Sequence, residues 1–185
     1  MKITFITGGA RSGKSRFAEK KAMESGQKVV YVATAQALDE EMARRIALHR
    51  ERRPIHWETI EEPRYVSKAL REIENGEKFV NFKVVLIDCL ALLVCNWLPL
   101  EEAENPELWE GLRKDLLKEV RSLIEAAKSM KQEVIIVSNE VGLGIVPEYP
   151  LGRLYRDLLG ETNQMMANAA DEVFFMISGI PLKIK

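Results

Sequence analysis

The sequence is poor in cysteine and histidine, with two of each in 185 residues, and it has no long apolar run and no surplus of either charge. Cys89 and Cys95 are too few for a disulfide framework and stand in neither metal-ligand nor redox-motif spacing. They are read as buried free thiols of a reducing compartment. The longest apolar tract, residues 84–100, is interrupted by Asp88 and Asn96 and falls short of the about 20 residues needed to cross a bilayer. The opening MKITFITGGA turns glycine-rich too early for a signal peptide. With 27 basic against 28 acidic residues and a net charge of −1, the balance argues against a protein whose main task is coating nucleic acid. No repeat, linker or low-complexity tract is apparent. What these absences leave is a soluble cytoplasmic protein, expected to form one domain over residues 1–185 and long enough to bury a core without disulfides or structural metal.

Within that frame, short runs rich in Val, Ile, Leu and Phe alternate with segments of helical period. The runs are Ile3–Thr7, Lys28–Ala33, Val84–Asp88, Val134–Ser138 and Glu172–Ile177, nearly continuous in apolar residues as strands covered on both faces are. The expected helices are Lys14–Ser25, Tyr65–Glu74, Leu108–Met130 and Arg153–Ala170, the last interrupted by Gly160. Alternation of this kind predicts an α/β domain with a mainly parallel sheet. Residues 35–63 and the stretch NEVGLGIVPEYP at 139–150 stand outside it, and long excursions from an α/β unit tend to carry function.

Residues 8–15, GGARSGKS, satisfy the phosphate-binding pattern G-x-x-x-x-G-K-[ST] with Gly8, Gly13, Lys14 and Ser15. The loop follows a strand and opens a helix, the context the pattern requires. Its backbone N–H groups point at phosphate oxygens, Lys14 reaches the β- and γ-phosphates, and the Ser15 hydroxyl coordinates Mg²⁺. This makes the expected fold a P-loop NTPase (RecA-like) three-layer domain. Asp88, at the carboxyl end of VVLIDCL, either holds the Mg²⁺ shell or caps the next segment.

RRIALHRERRP, residues 44–54, places five arginines and one of the two histidines in eleven positions. Asp39 is a plausible N-cap, with Glu40 and Glu41 in the first turn. Met42, Ile46 and His49 then share a face, with Arg45 and Arg52 flanking His49. One reading is a half-buried histidine stacked on Ile46 and satisfied by a backbone carbonyl. The other is a nucleophile: arginines favour the neutral imidazole, whose lone pair can attack phosphorus, and they grip triphosphate and pyrophosphate through paired hydrogen bonds.

Taken together, TGGARSGKSRFAE, YVATAQALDEEMARRI, HRERRPIHW, SNEVGLGIVPE, NQMMANAADEVFFMISGIPLKIK and the Asp88 strand resemble the bifunctional adenosylcobinamide kinase/adenosylcobinamide-phosphate guanylyltransferase family of cobalamin biosynthesis. The similarity runs nearly end to end and is weakest at residues 95–130. It implies that ATP or GTP phosphorylates adenosylcobinamide, after which GMP passes from GTP to that phosphate through a guanylylated histidine. By position the nucleotide contacts would be Gly8, Gly9, Ala10, Arg11, Ser12, Gly13, Lys14 and Ser15, then Ala33, Thr34 and Ala35, then Arg50, Glu51, Arg52 and Arg53. Glu61 and Asp88 would complete the nucleotide and metal surroundings, with Ser15 and Asp88 on Mg²⁺. Some members carry two adjacent histidines in the helix, whereas Leu48 precedes His49 here. The catalytic residues would be His49 and Lys14, while His56 in PIHW looks like part of a structural turn. The resemblance also implies a homo-oligomer, a trimer being the suggested form.

The 139–150 stretch is left with two readings: an apolar tip suited to a large, flat, partly hydrophobic corrinoid, or Ile145 and Val146 packing under the sheet edge. Two other functions fit the phosphate loop alone. They are a small-molecule kinase with no covalent intermediate, and a nucleotide-dependent switch or assembly ATPase whose arginine helix docks a partner.

Overall fold

The computed structural model describes residues 2–98, 105 and 107–185, the side chain of Arg52 excepted. In chain order the elements are β1 (Ile3–Gly8), α1 (Lys14–Glu24), β2 (Lys28–Ala33), α2 (Glu40–Arg52), β3 (Glu58–Glu61), α3 (Val66–Asn75), β4 (Phe82–Asp88), α4 (Leu90–Asn96), α5 (Glu107–Ser129), β5 (Glu133–Val137), α6 (Pro150–Ala169), β6 (Glu172–Ile177) and β7 (Ile180–Lys183). Seven strands form one sheet in the order β3-β2-β4-β5-β1-β6-β7. All pair in parallel except β7, which runs antiparallel to β6.

Helices cover both sides of the sheet: α1 packs on β1, β4 and β5, while α4 lies on β5, α6 on β1, and α5 bridges α3 and α6. This is why the β1, β4 and β5 sequences are continuous in apolar residues. Phe5, Ile6, Val85, Leu86, Ile87 and Ile136 are at most 1% exposed, each contributing about 1.5–3 kcal/mol through burial. β5 lies between β1, which ends in the phosphate loop, and β4, which ends at Asp88. The arrangement is consistent with the P-loop NTPase-like fold expected from the sequence.

Three features differ from the expected alternation. The 35–63 excursion is itself a crossover, β2–α2–β3, that adds an edge strand beside β2. The β3 sequence ETIE is short and only alternately covered, so it lacks the apolar run that marks the inner strands. The 84–100 tract divides at Cys89 into β4 and the buried helix α4, its end at Pro99 and Leu100 lying outside the described residues. Finally, β7 folds back through Ser178 (φ 50°) and Gly179 (φ 85°), a tight hairpin turn that requires left-handed backbone. At this end of the sheet Glu172 gathers three ammonium groups, Lys183 at 2.7 Å, Lys2 at 2.8 Å and Lys21 at 3.5 Å. Hydrogen bonds from Lys183 and Lys2 hold its carboxyl down at about 2.

α6 begins at Pro150, three residues before its expected start, and runs through Gly160 without a break. No helix among the described residues is long and apolar enough to cross a membrane. Cys89 and Cys95 are both free, Cys89 buried and Cys95 half-buried.

Candidate active site

The phosphate loop is built on two glycines that nothing else could replace. Gly8 closes β1 with φ 151°, and a Cβ there would meet the Met176 carbonyl oxygen at 2.6 Å and Ser12 Oγ at 2.9 Å. Gly13, with φ 93°, is the N-cap of α1, and a Cβ there would come within 3.3 Å of the Gly179 Cα. Between them Ala10 and Arg11 are exposed, Gly9 is half-buried and Ser12 is buried. The Lys14 ammonium is folded over the loop, donating to the Gly9 carbonyl at 2.6 Å and reaching Ser12 Oγ at 3.5 Å. Burial lowers its pKa, with Asp88 opposing the shift. Ser15 follows on the first turn of α1, half-buried.

Asp88 faces this loop from the end of β4. It lies opposite Ala33 in the strand register, and Tyr31, two residues earlier on β2, leans forward to donate to Asp88 Oδ2 at 2.8 Å. Tyr31 is 2% exposed, and burial together with the Asp88 charge raises its phenol well above the ordinary tyrosine range. Thr34 is fully buried, its hydroxyl donating to the Cys89 carbonyl and accepting from the Cys89 N–H, both at 2.7 Å. Its side chain therefore fixes the ends of β2 and β4, while Ala33 and Ala35 remain partly open at the rim. Hard oxygen donors from Ser15 and Asp88 beside a phosphate cradle fit Mg²⁺, which takes one or two protein oxygens and completes its shell with phosphate and water. No cluster of three or more metal-ligating side chains exists among the described residues.

The arginine segment forms α2 as its sequence predicts. Asp39 caps it, Oδ1 accepting from the Met42 N–H at 2.7 Å, and Met42, Ile46 and His49 form its half-buried face. The arginines are spent differently from expectation. Arg44 pairs with Glu40 at 3.5 Å and Arg45 with Glu41 at 2.5 Å, each one helical turn back, and Arg50 pairs with Glu61 across to β3. Arg53 lies over the Tyr31 ring at 3.4 Å from its centroid, and Trp57 stacks beside that ring at 6.5 Å. The side chain of Arg52 lies outside the described residues. An open cavity of about 590 Å³ sits here, lined by Arg50, Glu51, Arg53, Trp57, Thr59 and Glu61 among others, so four of the residues expected to bind nucleotide share one pocket. His56 belongs to the turn closed by the Trp57 N–H to the Pro54 carbonyl at 3.0 Å.

His49 is half-buried, and among the described residues its Nδ1 meets no backbone carbonyl. Its Nδ1 is turned inward without a hydrogen bond, and the group facing it is the Glu19 carboxylate, 3.9 Å away. An acid, not only arginines, therefore stands beside this ring. Glu19 lies on the buried face of α1, five residues after Lys14, about 7.5 Å along the helix axis. Sequence reading missed Glu19, although a charged residue on a face shared with Ala18 and Ala22 was a usable signal.

The 139–150 loop completes the rim. Its root is tied to the phosphate loop by the Glu140 N–H donating to the Gly8 carbonyl at 2.8 Å. Asn163 of α6 donates to the Asn139 carbonyl at 2.9 Å, and Arg153 donates to the carbonyls of Pro147 and Glu148 at 3.0 and 2.6 Å. The backbone is thus anchored from α6 at both ends, yet Leu143 and Ile145 are 83% and 95% exposed, and Val146 and Tyr149 are also exposed. Ile145 and Val146 do not pack under the sheet edge. The loop spends its polar groups on holding its shape and turns its apolar side chains outward.

A family model described as cobinamide kinase / cobinamide phosphate guanyltransferase matches residues 4–184. The chain is 43% identical to the bifunctional adenosylcobalamin biosynthesis protein CobU of Escherichia coli strain K12, over 99% of each chain. It is 44% identical to the bifunctional adenosylcobalamin biosynthesis protein CobP of Pseudomonas aeruginosa, over 97% of this chain and 95% of the relative. It is 42% identical to the CobU protein of Salmonella typhimurium strain LT2, over 99% of each.

Proposed function

The chain belongs to the cobinamide kinase / cobinamide phosphate guanyltransferase family, and we propose that it performs both transfers as one enzyme of adenosylcobalamin biosynthesis. In the first, ATP or GTP phosphorylates the aminopropanol hydroxyl of adenosylcobinamide. In the second, GMP moves from GTP to adenosylcobinamide phosphate, giving adenosylcobinamide-GDP and pyrophosphate.

The phosphate loop serves the first reaction. Backbone N–H groups from Gly8 to Ser15 hold the phosphate oxygens, and Lys14 follows the charge that builds on the transferred phosphoryl group. Ser15 and Asp88 would hold Mg²⁺, which when bound neutralises charge between the β- and γ-phosphates. Tyr31 orients Asp88 for that task. The exposed apolar tip at Leu143, Ile145 and Val146, rooted at Gly8, suits the corrinoid acceptor, placing its hydroxyl side toward the γ-phosphate.

For the second reaction, His49 attacks the α-phosphorus of GTP while the bond to the bridging oxygen of the β-phosphate breaks and pyrophosphate leaves. An oxygen of cobinamide phosphate then displaces the histidine. Arg50, Arg53 and Glu61, with Arg52, would hold the nucleotide during this step. One observation supports the reading: His49 of α2 lies 3.9 Å from Glu19 of α1, the helix that the phosphate loop opens. The free thiols at Cys89 and Cys95 support a reducing cytoplasmic setting, and the family suggests a homo-oligomer, a trimer.

Incubating the protein with GTP labelled at the α- or the γ-phosphate tests this directly. Label from the α-phosphate should survive denaturation and be released by acid, as a phosphoramidate is. Retention of γ-label alone would support a kinase without the covalent step, and hydrolysis with no corrinoid turnover would support a switch.

A further inference from the structure

We infer that Glu19 is a positioning residue for guanylyl transfer, holding the proton of His49 on Nδ1 so that Nε2 is the nitrogen that attacks GTP. The inference rests on the proposed guanylyl-histidine chemistry and assigns a role to a side chain of the phosphate-loop helix itself.

The geometry comes first. The His49 side chain is 38% exposed, yet its Nδ1 is shielded from solvent and without a hydrogen bond, so the open edge of the ring is the Nε2 edge. Glu19, 12% exposed on its side chain, presents Oε1 to Nδ1 at 3.9 Å. That separation exceeds a hydrogen bond by under 1 Å, and contacts between a catalytic base and its orienting group commonly shorten when substrate binds. Both residues sit on regular helices, α1 and α2, whose side chains meet at this pair. A neutral histidine carries one ring proton, and the partner of one nitrogen decides which nitrogen keeps its lone pair. With no partner, histidine favours the Nε2–H form, which would leave the lone pair on the shielded side. A carboxylate at Nδ1 reverses that preference.

The same carboxylate assists the transfer. When the Nε2 lone pair forms the bond to the α-phosphorus, the electron pair of the phosphorus–oxygen bond leaves with pyrophosphate and the ring becomes an imidazolium that keeps its Nδ1 proton. The Glu19 charge stabilises that cation. Attack by cobinamide phosphate on the α-phosphorus then returns the bonding pair to Nε2 and restores the neutral ring. No proton enters or leaves Glu19 in either half.

The test uses the full-length protein with Glu19→Gln and Glu19→Ala. Orienting partners of this kind typically contribute 10–100-fold. Glu19→Ala should therefore slow α-label incorporation 10–100-fold more than it slows phosphoryl transfer to cobinamide, and Glu19→Gln, which still accepts a hydrogen bond, should recover part of that loss. ¹⁵N spectra of histidine-labelled protein, assigned by difference with His56→Ala, should show His49 as the Nδ1–H form in the wild type and Glu19→Gln, and as the Nε2–H form in Glu19→Ala. Equal loss of both transfers, wild-type labelling by Glu19→Ala, or an unchanged tautomer would overturn the inference. If wild-type protein takes no α-label at all, the guanylyl-histidine reading itself fails and the inference falls with it.

Discussion

Tyr31 donates a hydrogen bond from its hydroxyl to Asp88 Oδ2 at 2.8 Å, from a ring whose face is covered by Arg53. The buried phenol thus connects the acid beside the phosphate loop to the arginine-lined cavity on the far side of β2. Removing the hydroxyl with Tyr31→Phe deletes a charge-assisted hydrogen bond worth about 1.5–3 kcal/mol, so the melting temperature should fall by roughly 3–10 °C. The Mg²⁺ concentration giving half-maximal kinase rate should rise several-fold, because Asp88 loses its orienting donor. An unchanged Mg²⁺ dependence would remove Asp88 from the metal site.

The two histidines should separate cleanly. His49→Ala is expected to abolish retained α-label, whereas His56→Ala, in an exposed turn, should label like the wild type. Labelling of the first and not of the second would move the nucleophile to His56.

Lys14→Ala should reduce phosphoryl and guanylyl transfer together, each by about 10²–10³, the usual cost of deleting one donor to a developing negative charge. Steady-state rates with saturating nucleotide measure this. A loss confined to phosphoryl transfer would show that the two reactions use separate triphosphate positions.

At the loop tip, Leu143→Ser and Ile145→Ser should each raise the KM for cobinamide by several-fold to about 10-fold, as losing 1–1.4 kcal/mol of apolar contact does. The KM for GTP should stay where it is, because the changes lie on the outward side of a loop whose backbone is held by Arg153 and Asn163. Unchanged corrinoid KM in both variants would place the acceptor elsewhere.

Acid stability carries a signature of Glu172. Its carboxyl titrates at about 2 in the folded chain against an ordinary 4.5, so between these values the unfolded chain binds more protons. The stabilisation is present above pH 4.5 and is lost as pH falls toward 2. Glu172→Gln should flatten the denaturant-midpoint curve in that window and leave it parallel to the wild type above pH 5. A curve of unchanged steepness would mean that the lysine cluster does not hold its geometry in solution.

Much of this was legible in the residues. The five inner strands announce themselves as apolar runs, most plainly β1, β4 and β5 where helices pack on the sheet, and GGARSGKS between a strand and a helix admits few other readings. The half-buried face of α2 followed from counting threes and fours. What escaped were features decided between segments distant in sequence. β3 and β7 are edge strands, so selection for apolar residues is relaxed along them, and only the Ser178–Gly179 pair hinted at the hairpin. Tyr31 meets Asp88 because of strand register, and Glu19 meets His49 where side chains of α1 and α2 approach across the fold. Neither meeting is written in local spacing. The ion pairs of the arginines escaped for the same reason: Arg44, Arg45 and Arg50 meet carboxylates at Glu40, Glu41 and Glu61.

β3 is the last strand on its side of the sheet, which makes the crossover bearing His49 an outboard addition. The strands from β2 to β6 close around the phosphate loop without it. The crossover meets the rest of the fold through Arg53 on Tyr31 and His49 beside Glu19. The same layout makes this margin a place to graft: exchanging residues 35–63 between relatives would move His49 and the cavity beside it, with Glu19 and Tyr31 as the contacts the host must supply.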